Sequence, residues 1–132
     1  MKETAIPVSV HERAILAVQA QDALNMHLVW MERGYAFLKG KAHGLPDGFV
    51  RSVQVCPVGT WLQERLDPVF RGLPLFERTN RLHEEFHVVL DQLFAQDIAN
   101  VPAHNRQRFH QVGDDLTRAL EEWIALGKSA NA

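Results

Sequence analysis

The chain has 132 residues, of which 46% are hydrophobic and 23% are charged, which predicts a single domain with one packed core. A formal net charge of -2, with no run of Lys or Arg interleaved with aromatic residues, argues against nucleic-acid binding. No segment approaches the roughly 20 apolar residues of a membrane span, and no export signal opens the sequence. The lone cysteine, Cys56, cannot form an intramolecular disulfide, so we expect a protein of the reducing cytoplasm without membrane insertion.

Apolar residues recur at helical spacing through most of the chain, which predicts an all-α fold. Only the stretch 50–55 alternates in the manner of a strand. Ser9 and Glu12 form a capping-box pattern at the start of a first helix, which we expect to end near Lys39. Its inner face should carry a stripe that includes one histidine: Ala20, Leu24, His27, Met31, Gly34 and Leu38.

A second, shorter helix follows a turn-rich segment between Gly40 and Gly48. It should open at Cys56 and Pro57 and end near Asp67. Proline is favoured at the first helical position, where its missing N–H has no intrahelical role. The pattern therefore predicts that Cys56 caps this helix.

Two long helices complete the chain, one from Pro74 to about Asn100 and one from just after Pro102 to Gly127. Three long helices and a short one predict an antiparallel four-helix bundle. Residues 1–132 are interpreted as one domain, with flexible tails at about 1–8 and 128–132. The predicted inner faces are Phe76, Asn80, His83, His87, Leu90 and Phe94 on the third helix, and Phe109, Val112, Leu116, Ala119, Trp123 and Leu126 on the fourth.

Four residues from three of these helices have the chemistry of a zinc site: His27, Cys56, His83 and His87. The spacing of four between the last two places both imidazoles on one helix face, where they can share an ion. One thiolate and three imidazoles complete a tetrahedral zinc shell. Taken singly, a histidine on an apolar face or a buried cysteine usually only packs, so the combination carries the prediction.

Other functions compete for the same residues. The sequence HEEFH, from His83 to His87, matches the H-E-x-x-H pattern of zinc peptidases, with Glu84 as general base. A closed four-ligand shell leaves no position for the water that such an enzyme needs. Glu84 and His87 also match half of a di-iron carboxylate motif, but the second copy is absent. A metal-free helical interaction module is the remaining alternative.

Three segments, Met26–Trp30 (MHLVW), Cys56–Trp61 (CPVGTW) and Leu82–His87 (LHEEFH), resemble the bacterial chemoreceptor zinc-binding (CZB) domain family in order and separation. The resemblance implies that His27, Cys56, His83 and His87 bind one Zn²⁺ in an all-α bundle, and it favours a homodimer. Members of the family are usually attached to chemotaxis receptors or diguanylate cyclases. Since this chain ends soon after its fourth helix, we expect a separate signalling partner or an output domain missing from it.

The resemblance and the chemistry of sulfur together favour a sensor. Zinc and a helix N-terminus both keep Cys56 as a thiolate, which an oxidant such as hypochlorous acid converts to a sulfenic acid with loss of zinc affinity. Alternatively, free zinc itself fills or empties the site. Trp30 and Trp61 are expected to cover the site, and Asn80 to hydrogen-bond a ligand imidazole. The remaining histidines are not accompanied by other candidate ligands at a suitable spacing, and they are assigned no role: His11, His43, His104 and His110.

Overall fold

The computed structural model describes residues 9–38, 57–94 and 102–128, apart from the side chains at 37 and 94. Their regular structure is helical throughout, which confirms the predicted all-α class for these ranges. Cys56, the strand-like stretch 50–55 and the predicted end of the third helix near Asn100 lie outside the described residues. The four α-helices of the described ranges are α1 (Val10–Leu38), α2 (Pro57–Thr60), α3 (Pro74–Phe94) and α4 (Ala103–Lys128).

Two irregular helical turns connect α2 to α3. The chain leaves α2 directly into a π-helical turn, Trp61–Arg65, where the sequence predicts one continuous α-helix. A 3₁₀ turn, Pro68–Phe70, then precedes α3, and the side chain of Asp67 caps it by accepting a hydrogen bond from the Val69 N–H at 3.0 Å. The π-helical turn ends at Arg65, close to Asp67, where the sequence predicts the end of the second helix.

The capping box predicted at the start of α1 is present. The Ser9 N–H donates to Glu12 Oε1 at 2.8 Å, and the Glu12 N–H donates to Ser9 Oγ at 3.0 Å. These reciprocal bonds satisfy two backbone donors at a helix start. The stripe predicted on this helix is buried up to Gly34, and Leu38 is half-buried. No helix in the described ranges is long and apolar enough to cross a membrane.

Helices α1 and α4 run antiparallel and approach closely, because glycines stand where the two helices meet. Arg13 on α1 donates to the Leu126 carbonyl near the end of α4, whereas Tyr35 meets His110 near its beginning. A Cβ at Gly127 would lie 2.6 Å from the Ala17 backbone nitrogen, and one at Gly113 would lie 2.2 Å from Met31 Sδ. At Gly127 the neighbouring atoms are backbone, so the lack of a side chain there permits the close approach of the two helices. At Gly113 the lack of a side chain leaves room for the end of Met31.

Helix α3 also packs antiparallel against α4. Arg78 pairs with Glu122 near the start of α3, and Glu85 pairs with Arg108 further along. Helices α1 and α3 are therefore parallel to one another and both pack on α4. The segment from α2 to the 3₁₀ turn closes one end of the core with apolar side chains that are at most 2% exposed: Val58, Trp61, Leu62, Leu66 and Phe70.

Candidate metal centre

Three of the four predicted ligands lie in the protein interior. His27 on α1 and His83 and His87 on α3 are 1%, 1% and 5% exposed. The Nε2 atoms of His83 and His87 are 3.1 Å apart, and the two rings meet nearly edge to face with centroids 4.6 Å apart. The predicted sharing of one helix face is therefore confirmed for this pair. Cys56, the fourth predicted ligand, lies outside the described residues.

His27 is fixed between α3 and α4. Its ring packs against Phe86, with centroids 4.7 Å apart and an interplanar angle of 72°. Its Nε2 atom lies 2.9 Å from the carbonyl oxygen of Gly113 and 2.9 Å from the hydroxyl of Thr117. The Thr117 hydroxyl in turn donates to the same Gly113 carbonyl at 2.8 Å. One side of the His27 imidazole is thus held by α4.

The interior keeps the imidazoles of His27 and His83 neutral. Burial lowers the pKa of His83 to about 3, and the nearby His87 and His27 lower it further in the same direction. Burial also lowers the pKa of His27 to about 4, although the hydrogen bond to Gly113 and the carboxylate of Asp114 act against that shift. A neutral imidazole has a ring nitrogen with a free lone pair, which is the form that binds a metal.

Two nitrogens of this cluster lack hydrogen-bond partners. The Nδ1 atoms of His27 and His83 are buried and unpaired in the described structure. Buried polar atoms are normally paired, so such orphans require an explanation. Neutral imidazoles with unpaired nitrogens fit a transition metal such as zinc. Within the described ranges no three His, Cys, Asp or Glu side chains are placed to hold an ion together, and this includes the set of His27, His83 and His87. Cys56, the remaining candidate ligand, lies outside these ranges.

The residues predicted to support the ligands contact residues other than the ligand histidines. Asn80 Oδ1 accepts a hydrogen bond from Gln63 Nε2 at 3.0 Å. The indole N–H of Trp61 donates to Gln19 Oε1 at 3.1 Å, so this tryptophan joins α1 to the π-helical turn. Trp30 is 7% exposed and lies under the guanidinium of Arg33. The predicted supporting role of these residues at the ligands stays a prediction.

Glu84, the general base of the competing peptidase interpretation, is exposed, whereas the flanking His83 and His87 are buried. Its carboxylate therefore lies outside the interior in which the two imidazoles are buried. The histidines without a predicted role include His110, which is exposed and whose Nδ1 atom lies 2.6 Å from the Tyr35 hydroxyl. His11 and His104 are also exposed, and His43 lies outside the described residues.

The sequence interpretation missed two residues at the site, Gly113 and Thr117. It assigned no site residue to the fourth helix, yet both contact His27 directly. The available signal was a glycine and a threonine four residues apart beside the apolar seam of α4. That spacing places them on one side of a helix, but only a neighbouring helix identifies them as partners of a histidine.

These observations define a protein that is helical in its described ranges, with buried histidines on α1 and α3 whose chemistry suits a transition metal. The family model of the chemoreceptor zinc-binding domain (CZB) matches residues 27–94, just over half of the chain. The chain therefore belongs to the CZB family. The matched stretch begins at His27 and contains Cys56, His83 and His87. No curated protein and no solved structure gave a match.

Proposed function

We propose that this chain is a zinc-dependent sensory domain in which His27, Cys56, His83 and His87 bind one Zn²⁺. One observation carries the proposal: His83 and His87 lie buried within the family match, with their Nε2 atoms 3.1 Å apart. Imidazole and thiolate are the ligands that zinc prefers, and four of them close a tetrahedral shell. When bound, zinc supplies a link between the helices and keeps the cysteine as a thiolate.

The finer architecture that we propose is an antiparallel four-helix bundle whose short helix begins with Cys56. It is supported by the antiparallel packing of α1 and α3 on α4 and by the position of α2, which begins at Pro57. Val58 and Trp61 are at most 2% exposed, so movement of this short helix would expose apolar surface of the core. A change at Cys56 would thereby reach the whole bundle.

Two signals are compatible with such a site. In the first, the Cys56 thiolate attacks hypochlorous acid, forms an S–O bond and releases chloride, so that sulfur loses two electrons and becomes a sulfenic acid. The oxidised sulfur is a weaker zinc ligand, and the short helix is released. In the second, the concentration of free zinc sets occupancy, and binding orders the same helix because ligand geometry is coupled to folding.

The proposed role is regulatory rather than enzymatic. A closed shell has no open position for a substrate or a water molecule. The exposed position of Glu84, away from the two buried histidines, supports the same conclusion. The signal would pass to a separate partner or to an output domain of the chemotaxis or cyclic-di-GMP type, in the cytoplasm of a bacterium.

We also propose a homodimer, with α1 as the contact surface. Most of the exposed large apolar side chains in the described ranges lie on this helix, and Ile15, Val18 and Val29 share one side of it at 43%, 63% and 40% exposure. A second copy of the chain could cover this face. Sedimentation of the wild-type chain and of Val18→Lys should give a dimer and a monomer, respectively; a monomeric wild type would contradict this part of the proposal.

The metal content of the purified protein tests the central proposal. Elemental analysis should find about one zinc per wild-type chain and a strong loss in Cys56→Ala and His83→Ala. His104→Ala is a matched control, because His104 is exposed and belongs to no cluster in the prediction. Undiminished zinc in both ligand variants would contradict the proposed site, and so would a wild-type chain that does not bind zinc.

The signal can be identified on the same material. Titration of the zinc-loaded protein with hypochlorous acid, followed with a zinc-sensitive dye, should release the metal at about one oxidant per cysteine if oxidation is the signal. Retention of zinc at that ratio would leave zinc availability as the signal. The peptidase alternative predicts peptide hydrolysis that Glu84→Gln abolishes, so an inactive wild type eliminates it.

A further inference from the structure

The hydrogen bonds around His27 determine which of its two ring nitrogens is available. Gly113 contributes a carbonyl oxygen, which can only accept, and this oxygen lies 2.9 Å from His27 Nε2. If Nε2 were unprotonated, its lone pair would face the lone pairs of that oxygen at close range. The hydrogen of the neutral imidazole therefore lies on Nε2.

Thr117 reinforces this arrangement. Its hydroxyl hydrogen is donated to the Gly113 carbonyl at 2.8 Å, one turn back along α4. The hydroxyl oxygen consequently presents a lone pair to His27 Nε2, 2.9 Å away. The N–H of His27 is thus shared between two acceptors, and both of them favour the same tautomer.

The other nitrogen, His27 Nδ1, is buried and unpaired in the described structure. A neutral imidazole has one N–H, so with the hydrogen on Nε2 the Nδ1 atom carries a free lone pair. In metal sites, the hydrogen bond made by one ring nitrogen sets which nitrogen binds the ion. Resting on the proposed function, we propose that His27 binds zinc through Nδ1, and that Thr117 is the positioning residue that sets this tautomer and orientation.

Gly113 leaves space for a side chain of α1. A Cβ at this position would lie 2.2 Å from Met31 Sδ, so a residue with a side chain would displace the flexible end of Met31. Met31 follows His27 by one turn on the same helix. The absence of a side chain at Gly113 therefore leaves room for Met31 beside the carbonyl group that His27 contacts.

His83 and His87 differ from His27 in this respect. Their Nε2 atoms face each other at 3.1 Å, a hydrogen-bond distance that requires a hydrogen on one of them. Before both Nε2 atoms can bind one ion, that hydrogen must leave or move to the Nδ1 atom of the same ring. The tautomer of His27 is already set by its contacts with α4, so His27 is a ligand that needs no such change.

The decisive measurement is long-range ¹⁵N–¹H NMR on protein labelled with ¹⁵N-histidine. The metal-free wild type should show His27 with hydrogen on Nε2 and a free Nδ1. After loading with ¹¹³Cd²⁺, the His27 ring should show scalar coupling to the metal at Nδ1 and none at Nε2. Coupling at Nε2, or a metal-free protein with hydrogen on Nδ1, would overturn the proposal while leaving the zinc site itself intact.

Variants of Thr117 test the positioning role. Thr117→Val keeps the branched shape but loses the hydroxyl, and should lower zinc affinity about 10- to 100-fold, as loss of supporting hydrogen bonds does in other metal sites. Thr117→Ser keeps the hydroxyl and should restore affinity. An unrestored affinity in Thr117→Ser would contradict the role assigned to the hydroxyl.

Thr79 offers a matched control on α3. Its hydroxyl also donates one turn back, to the Leu75 carbonyl at 2.7 Å, and accepts a ring N–H, that of Trp123, at 2.9 Å. Thr79→Val should therefore show a comparable loss of hydrogen bonds without altering the NMR signals of His27. Equal loss of zinc affinity in Thr79→Val and Thr117→Val would reduce Thr117 to a purely structural residue. A wild type that binds neither Zn²⁺ nor Cd²⁺ would overturn the proposed function and this inference together.

Discussion

The Nε2 atoms of His83 and His87 lie 3.1 Å apart across one turn of α3, in an interior where both side chains are at most 5% exposed. Two cationic imidazoles at this distance would repel each other strongly, with little water to screen them. The pair therefore cannot hold two positive charges, whereas one bound cation would be shared by both lone pairs. This relationship connects metal binding to the stability of the fold.

Removal of zinc should lower the stability of the protein. A ligand that binds only the folded state adds about 2.7 kcal/mol at a free concentration 100 times its dissociation constant. Thermal melts followed by circular dichroism should therefore show a lower Tm after treatment with a chelator and recovery on addition of zinc. A melt that is unchanged by chelator in a protein shown to be metal-loaded would favour the helical interaction module instead.

The stability of the metal-free protein should fall with acidification below pH 6.5. Burial lowers the pKa of His27 from 6.5 to about 4 in the folded state, so the unfolded chain takes up this proton first as the pH drops. Stability is fully present above pH 6.5 and is lost as the pH approaches 4. The loss from His27 alone is on the order of 3 kcal/mol, and His83 acts in the same direction.

Urea unfolding between pH 7.5 and 5, with chelator present, measures this slope. His27→Gln should flatten it, whereas His104→Gln should leave it unchanged, because His104 is exposed and lies outside the buried imidazole cluster. Histidine NMR of the wild type provides a check that needs no variant. Protonation of the His27 ring near pH 6.5 in the folded protein would contradict the prediction.

Substitution of Gly127 by alanine should destabilise the contact between α1 and α4. The new Cβ would lie 2.6 Å from the nitrogen and 2.8 Å from the Cα of Ala17, which are backbone atoms that cannot rotate away. Overpacking of this kind typically costs about 1–3 kcal/mol. Gly72→Ala is the control, because no atom lies within 4 Å of a Cβ there. Equal unfolding midpoints for the two variants in urea would show that the helices can move apart freely.

The ion pairs between α3 and α4 should contribute little to stability. Arg108 and Glu85 are 2.7 Å apart, but their side chains are 50% and 41% exposed. Exposed pairs are worth about 0–1 kcal/mol, because water screens the charges and two long side chains lose freedom. A double-mutant cycle with Arg108→Ala and Glu85→Ala should give a coupling energy in this range. A coupling energy above about 2 kcal/mol would show that this pair holds the two helices together more strongly than is expected of exposed side chains.

Much of the helical structure was predictable because it follows from local chemistry. Ser9 and Glu12 mark a helix start by bonds within four residues, and Pro74 marks another. The spacing of His83 and His87 predicts their shared face, since 3.6 residues per turn fixes it. The π-helical turn at Trp61–Arg65 was not predicted, because no local signal distinguishes it from an α-helix. It lies where Trp61 must fit between Gln19 and Trp123 in the interior.

The sequence by itself determined the helical class, the family, the candidate ligands and the pairing of His83 with His87. Only the tertiary structure decided that Gly113 and Thr117 hold His27, because the hydrogen bonds join residues 86 and 90 positions apart. Tertiary packing also decided that His27 and His83 stay neutral, since burial by other helices lowers the pKa of both. The physical reason is that periodicity fixes which residues share a face, whereas partners and solvation depend on which helix packs against it.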